Sequence, residues 1–229
     1  MECTAARIGD LPHNPRMGVT LETVDGRVAM RGAGDAPGSG VSIDLGAIDV
    51  RALGGHPLVR AVGKGPGPVI DATAGLGGDA WILAASGRSV VAIERHPHIH
   101  ALLDDALARA RATPTLAHVA ARITLLHADA RRALTDAAQG AWSILVDPMF
   151  PPKAKSALAP RDIRLVKEAV GEDPDAAELL AAALATAAPR IIVKRPHEAP
   201  PLGSVPHHVI ESRLVRYDIY DRPHLMPKP

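Results

Sequence analysis

From Pro68 onward, short unbroken runs of apolar residues alternate with stretches whose apolar residues recur at three- and four-residue spacing. The runs "PVIDATAG", "SVVAIE", "RITLLHAD", "WSILVD" and "RIIVKRP" predict five buried strands. Between them, "DAWILAAS" (closed by Gly87), "HPHIHALLDDALARARA", "ARRALTDAA", "RDIRLVKEAV" and "DAAELLAAALATAA" predict helices. In the second of these, Ile99, Leu102, Leu103, Ala106 and Leu107 share a face, while Asp105 and Arg109 stand one turn apart on the wet side, where they can pair. Strands alternating with helices imply a parallel α/β sheet, with chemistry at the carboxyl ends of its strands near the switch point. "HHVIESRLVRYDIYD" adds one or two final strands, read as antiparallel, with Tyr217 and Tyr220 as core or edge aromatics.

Residues 1–57 follow another pattern. "VTLETVDGRVAMRG" is two β-prone runs around Asp25-Gly26, a hairpin signal. "GAGDAPGSG" reads as a flexible loop, "VSIDLGAIDVRAL" as a further strand, and "GGHP" as a separator. The expected organisation is a small β-rich region, 1–57, ahead of an α/β domain, 58–229.

The chain's 229 residues suffice for a substantial core without staples. A formal charge of +1 makes no global case for a nucleic-acid partner, so any such surface must be a local patch. The single cysteine, Cys3, excludes a disulfide framework, and "MECTAARIGD" lacks the basic start and apolar run of a signal peptide; a cytoplasmic home is expected. No apolar stretch is long enough to span a bilayer, so no membrane partner is expected.

"DATAGLGGDA" puts Gly75 and Gly77 between a strand and a helix, where lack of Cβ permits a tight bend and close approach to a ligand. Gly75, Gly77 and Ala80 satisfy G-x-G-x-x-G/A, which keeps an NAD-dependent oxidoreductase open as a reading. Glu94, ending the second strand, suits ribose hydroxyls of either cofactor, and Asp129, ending the third, suits an adenine amino group; helix capping is the plainer role for Asp79 and Asp129. Asp71, four residues before Gly75, can reach the ammonium of a methionine moiety, which favours S-adenosylmethionine (SAM) over NAD.

The fourth strand ends in Asp147, followed by Pro148, Met149 and Phe150. This resembles the [DN]-P-P-[FYW] motif of methyltransferases acting on exocyclic amines, with Met149 in place of the second proline. An aryl amine is a poor nucleophile because its lone pair is delocalised. The Asp147 carboxylate and Pro148 carbonyl can accept its N–H groups and turn the lone pair toward a methyl donor, while Phe150 stacks on the base.

With "DATAGLGGDA", "ERHPHIHALLDDALARA", "LVDPMFPPKAKSAL", "IIVKRPHEAPPL" and "RYDIY" in order, the chain is similar to the RsmJ family of SAM-dependent 16S ribosomal RNA guanine-N2 methyltransferases. The resemblance implies a Rossmann-like class I methyltransferase fold, SAM as cofactor, and 16S ribosomal RNA or the small ribosomal subunit as partner. It places cofactor contacts on Gly78, Asp79, Glu94, Arg95, Asp129, Ala130 and Asp147, beside Asp71, Gly75 and Gly77. The chain departs from the family in having Gly78 where arginine is common. Rival readings are an amino-methyltransferase for another base or a protein amide, and a noncatalytic RNA-binding module.

Lys153, Lys155, Arg161, Arg164 and Lys167 follow the amine motif, and Lys194 and Arg195 follow the fifth strand; together they are expected to ring one mouth and contact RNA phosphates. His96, His98 and His100 alternate at two-residue spacing, which on a helix gives no common metal-binding face, so no metal is expected.

Overall fold

The computed structural model describes residues 18–148, 161–171 and 174–222. Strands β1 (Val19–Val24) and β2 (Arg27–Gly32) form the expected antiparallel hairpin. Its turn is Asp25 and Gly26, with φ of 49° and 74°, the left-handed pair that a two-residue hairpin requires. The next loop, expected to be flexible, is tied down: Glu22 accepts the backbone N–H groups of Gly38 (2.9 Å) and Gly40 (2.7 Å).

The expected strand in "VSIDLGAIDVRAL" does not form beyond one bridge between Val41 and Met30. Two 3-10 turns, Leu45–Ala47 and Leu53–Gly55, take its place. Asp44 and Asp49 capture the N–H groups of Gly46 and Arg51, each at 3.0 Å, so these side chains compete with a ladder for the backbone. The short helix α1 (Pro57–Val62) follows, with proline at its first position and Leu58, Ala61 and Val62 buried.

The remaining chain runs β3 (Val69–Asp71), α2 (Gly78–Ala85), β4 (Val90–Glu94), α3 (Pro97–Ala112), α4 (Ala117–Ala120), β5 (Ile123–His127) and α5 (Ala130–Ala137). It continues with β6 (Ser143–Val146), α6 (Arg161–Val170), α7 (Ala176–Ala185), β7 (Arg190–Arg195), β8 (His208–Glu211) and β9 (Arg216–Asp221). The seven strands order as β5-β4-β3-β6-β7-β9-β8, the first five parallel and the last two antiparallel, as expected. From β3 the chain goes outward on one side to β4 and returns on the other to β6, so the switch point lies between β3 and β6.

Strand alternation distributes side chains between two layers. Val69, Val90, Ala92, Leu145, Ile192, Tyr217 and Ile219 pack with α1, α2, α3 and α4. Ile70, Ile93, Ile144, Val146, Ile191, Val193 and Tyr220 pack with α5 and α7. Continuing the same alternation past each strand's apolar run brings Asp71, Glu94, Asp147 and Lys194 to the α2 side at one end of the sheet.

A third cluster, Val19, Met30, Ile99, Leu102, Leu165 and Val166, joins the hairpin to the outer faces of α3 and α6. Arg109 pairs with Asp105 at 2.8 Å, as the spacing predicted, and donates to the Ile43 carbonyl at 2.7 Å. No helix among the described residues is long and apolar enough to cross a membrane.

Candidate active site

The glycine loop leaves β3 through Ala72 and Ala74, whose N–H groups still bond to Leu145 and Ile93 carbonyls, and enters α2 at Gly77. Gly77 has φ of 80°, and a Cβ there would lie 2.4 Å from Leu103 Cδ1. Gly78 has ordinary helical backbone and open space where a Cβ would stand. Gly77→Ala is therefore expected to cost about 1–3 kcal/mol, whereas Gly78→Ala is neutral or stabilising by up to about 1 kcal/mol. Urea unfolding of the two variants checks this contrast.

An open cleft lies over the ends of β3, β4, β5 and β6. Thr73, Gly75, Glu94, Arg95, Asp129, Ala130, Asp147 and Pro148 line it, with Ile93 and Leu179 as apolar walls. Glu94 is buried and accepts the N–H groups of Gly75 (2.9 Å) and His96 (2.7 Å); burial raises its pKa against those two bonds. It thereby fixes the glycine loop relative to β4.

Asp129 caps α5 through the Arg131 N–H at 3.0 Å, and Arg131 also grips its carboxylate at 2.6 Å, holding its pKa down. Asp79 is not a cap but lies inside the first turn of α2. Sequence reading missed Arg131 and Asp175, which close the cleft's outer wall: Asp175 pairs with Arg95 at 2.6 Å and with Arg131 at 2.9 Å. No local pattern signals this, because the pairs span elements far apart in sequence.

At the inner end, Asp71 is 1 % exposed. Its Oδ1 accepts the Thr73 N–H at 3.2 Å, and among the described residues Oδ2 has no hydrogen-bond partner. Burial, followed by the charge of Asp79 and more weakly that of Asp147, pushes its pKa up to about 8. A buried carboxylate oxygen without a donor is the kind of acceptor that an ammonium such as that of SAM requires.

Asp147 donates its backbone N–H to Thr73 Oγ1 at 2.7 Å, which locks the end of β6 onto the glycine loop. Lys194 Nζ lies 2.9 Å from Asp147 Oδ2 and 2.7 Å from Asp79 Oδ2. Burial works against that ammonium, but the charges of Asp147 and Asp79 prevail and hold its pKa above the ordinary lysine range.

Lys194 and Arg195, expected to ring one mouth together, stand on opposite faces of the sheet. Lys194 turns inward because strand alternation aims it at the α2 side. Arg195, on the opposite parity, is 4 % exposed and donates to the Pro200 carbonyl. Arg161 reaches the hairpin loop, pairing with Asp35 at 2.8 Å, while Arg164 is exposed. Met149, Phe150, Lys153 and Lys155 lie outside the described residues, as does the Lys167 side chain. His98 is buried and His100 stacks on His127 with ring centroids 4.8 Å apart; among the described residues no three metal-binding side chains converge.

A parallel sheet with a reversed final hairpin, a glycine loop after its central strand and strand-end acids around one cleft define a SAM-dependent methyltransferase. The family model described as "Putative SAM-dependent methyltransferase" matches residues 5–222. The chain belongs to the ribosomal RNA small subunit methyltransferase J family. It is 49 % identical over 174 residues to the protein of that name from Rhodopseudomonas palustris (strain TIE-1), covering 73 % of this chain and 84 % of that one. To the namesake from Pseudomonas syringae pv. tomato it is 39 % identical over 235 residues, covering 98 % and 87 %. The crystal structure of the SAM-dependent methyltransferase NGO1261 from Neisseria gonorrhoeae superposes with a TM-score of 0.66 at 28 % identity, covering 92 % of this chain and 85 % of that one.

Proposed function

We propose that this chain methylates the exocyclic N2 of a specific guanine in 16S ribosomal RNA, with the small ribosomal subunit or its RNA as partner and the cytoplasm as its place of work. The observation that carries this reading is an acid-proline pair, Asp147-Pro148, lining the same cleft as the glycine loop and the strand-end acids Glu94 and Asp129, in a chain whose relatives are named for small-subunit ribosomal RNA.

When bound, SAM supplies an electrophilic methyl group. In this reading Asp71 holds its ammonium, and the N–H groups of Gly78 and Asp79 at the start of α2 receive its carboxylate. Gly75 and Gly77 keep the loop close, Glu94 accepts ribose hydroxyls, and Arg95, Asp129 and Ala130 bound the adenine end. The target guanine is flipped from its stack, because an amine inside a helix is out of reach. Asp147 and the Pro148 carbonyl then hold its amine in line, Phe150 stacks on the ring, and Lys153 and Lys155 contact phosphates.

Mass mapping of 16S ribosomal RNA from cells lacking the protein is expected to show the loss of one N2-methylguanosine. Purified chain with SAM should restore it on that RNA or on the subunit. Loss of a methyl from another base, or from none, would sink the assignment.

A further inference from the structure

The Lys194 side chain is 21 % exposed, and the ionisable groups that the described elements bring against it are Asp71 from β3, Asp79 from α2, Asp147 after β6 and Tyr217 from β9. Tyr217 stands directly opposite Lys194 in the β7–β9 ladder and is itself buried. Burial, with the charge of Asp79, pushes its hydroxyl up to about 12, so it adds no negative charge near neutrality. Three carboxyl groups therefore crowd one base, with Asp71 fully buried and the Asp79 and Asp147 side chains 20 % and 35 % exposed. Like charges so placed do not all remain ionised unless a cation compensates them. Asp71, the deepest, takes no ion pair with Lys194; the ammonium is divided between Asp79 and Asp147.

We propose that Lys194 is a positioning residue for methyl transfer, holding Asp147 ionised and its carboxylate oriented toward the amine, and is not a contact to RNA phosphate. This rests on the reading that Asp147 accepts the N–H of the base amine.

The chemistry explains why the ionisation state of Asp147 matters. In the transfer, the N2 lone pair forms the new N–C bond as the C–S bond breaks, and the electrons of that bond remain on sulfur in a neutral thioether. N2 becomes positively charged and sheds one proton. An ionised Asp147 accepts the N–H throughout and draws that proton away from the ring. A protonated Asp147 would instead present O–H to an amine that is also a donor. With Lys194 beside it Asp147 does not retain the proton, which passes on to water.

A lysine that binds phosphate contributes to KM for RNA and to its salt dependence, whereas one that orients a carboxylate contributes to kcat and its pH profile. The test is therefore kcat against pH at saturating SAM and RNA, for wild type, Lys194→Met and Lys194→Arg. Lys194→Met is expected to lose about a hundredfold in kcat at pH 7. Its acid limb should move up by about one pH unit or more, so that the deficit narrows as pH rises. Its KM for RNA should stay within about threefold.

Lys194→Arg keeps the charge and is expected to keep the wild-type limb. A Lys194→Met limb superimposed on the wild-type one, or a loss carried by KM and salt dependence, overturns the inference. If thermal unfolding shows that Lys194→Met does not fold, an upward-shifted limb in Lys194→Arg overturns it equally. Absence of transfer to RNA by the wild-type chain would instead refute the proposed substrate, so the two failures are distinct.

Discussion

Replacing Asp147 with alanine is expected to lower methyl transfer about 10²–10³-fold, corresponding to about 3–4 kcal/mol of transition-state stabilisation, while the SAM dissociation constant changes by less than about tenfold. The separation follows from how the residue is held. Its anchor to the glycine loop is a backbone N–H on Thr73 Oγ1, which alanine retains, and Lys194 still has Asp79 at 2.7 Å. What disappears is the carboxylate proposed to receive the amine. Asparagine keeps one carbonyl acceptor but not the charge, and should lose about a hundredfold. Single-turnover transfer to small-subunit RNA, with calorimetric titration of SAM alongside, measures both quantities; near-normal transfer by the alanine variant would remove Asp147 from the mechanism.

SAM is expected to bind most tightly near pH 8, and its dissociation constant to rise about tenfold for each pH unit below that. The cause is Asp71, whose pKa in the folded protein is about 8 against 3.8 in an unfolded chain. Below pH 8 the side chain carries a proton, and accommodating an ammonium against it means releasing that proton. Above pH 8 the α-amino group of SAM is itself losing its charge, so affinity falls again. Calorimetry at pH 7 in buffers of different ionisation enthalpy should register release of nearly one proton per SAM bound. Asp71→Asn should bind weakly and with little dependence on pH between 6 and 8.

The same group affects stability in the opposite direction. Between about pH 4 and 8 the folded state holds a proton that the unfolded state has lost, so this contribution to stability is greatest below 3.8 and declines as pH rises toward 8. Asp71→Asn in the SAM-free protein should accordingly have a higher Tm than wild type at pH 8, and the gap should close toward pH 4. A variant that is more stable and binds less well would mark Asp71 as a site where binding is favoured at the expense of the empty fold.

The elements legible in the sequence were those whose burial is two-sided. The runs of β4 and β6 are apolar at almost every position because helices cover both faces, and their ends carry Glu94 and Asp147. What escaped was set by short-range polar competition or by distance. Asp44 and Asp49 divert a β-prone stretch into turns, and α1 and α4 are too short for a helical period to emerge. Asp71, Glu94 and Asp147 could be placed from strand ends alone. Lys194 could not, because its destination depends on the register of β7 against β6 and on the position of Asp79 on α2. Counting parity along "RIIVKR", with Ile192 facing the α2 layer, would have turned Lys194 inward and Arg195 to the other side.

Two posts beside the site are held from different parts of the chain. One is the end of β6, pegged to Thr73; the other is the start of α6, held from outside by the hairpin through Arg161–Asp35 and the packing of Leu165 and Val166 on Val19 and Met30. Residues near the beginning of the chain, far in sequence from any reacting atom, thus set where one post stands. Loosening Met30 would let that post drift and shift the Val166 wall of the cleft, a disturbance delivered without altering a residue that lines it.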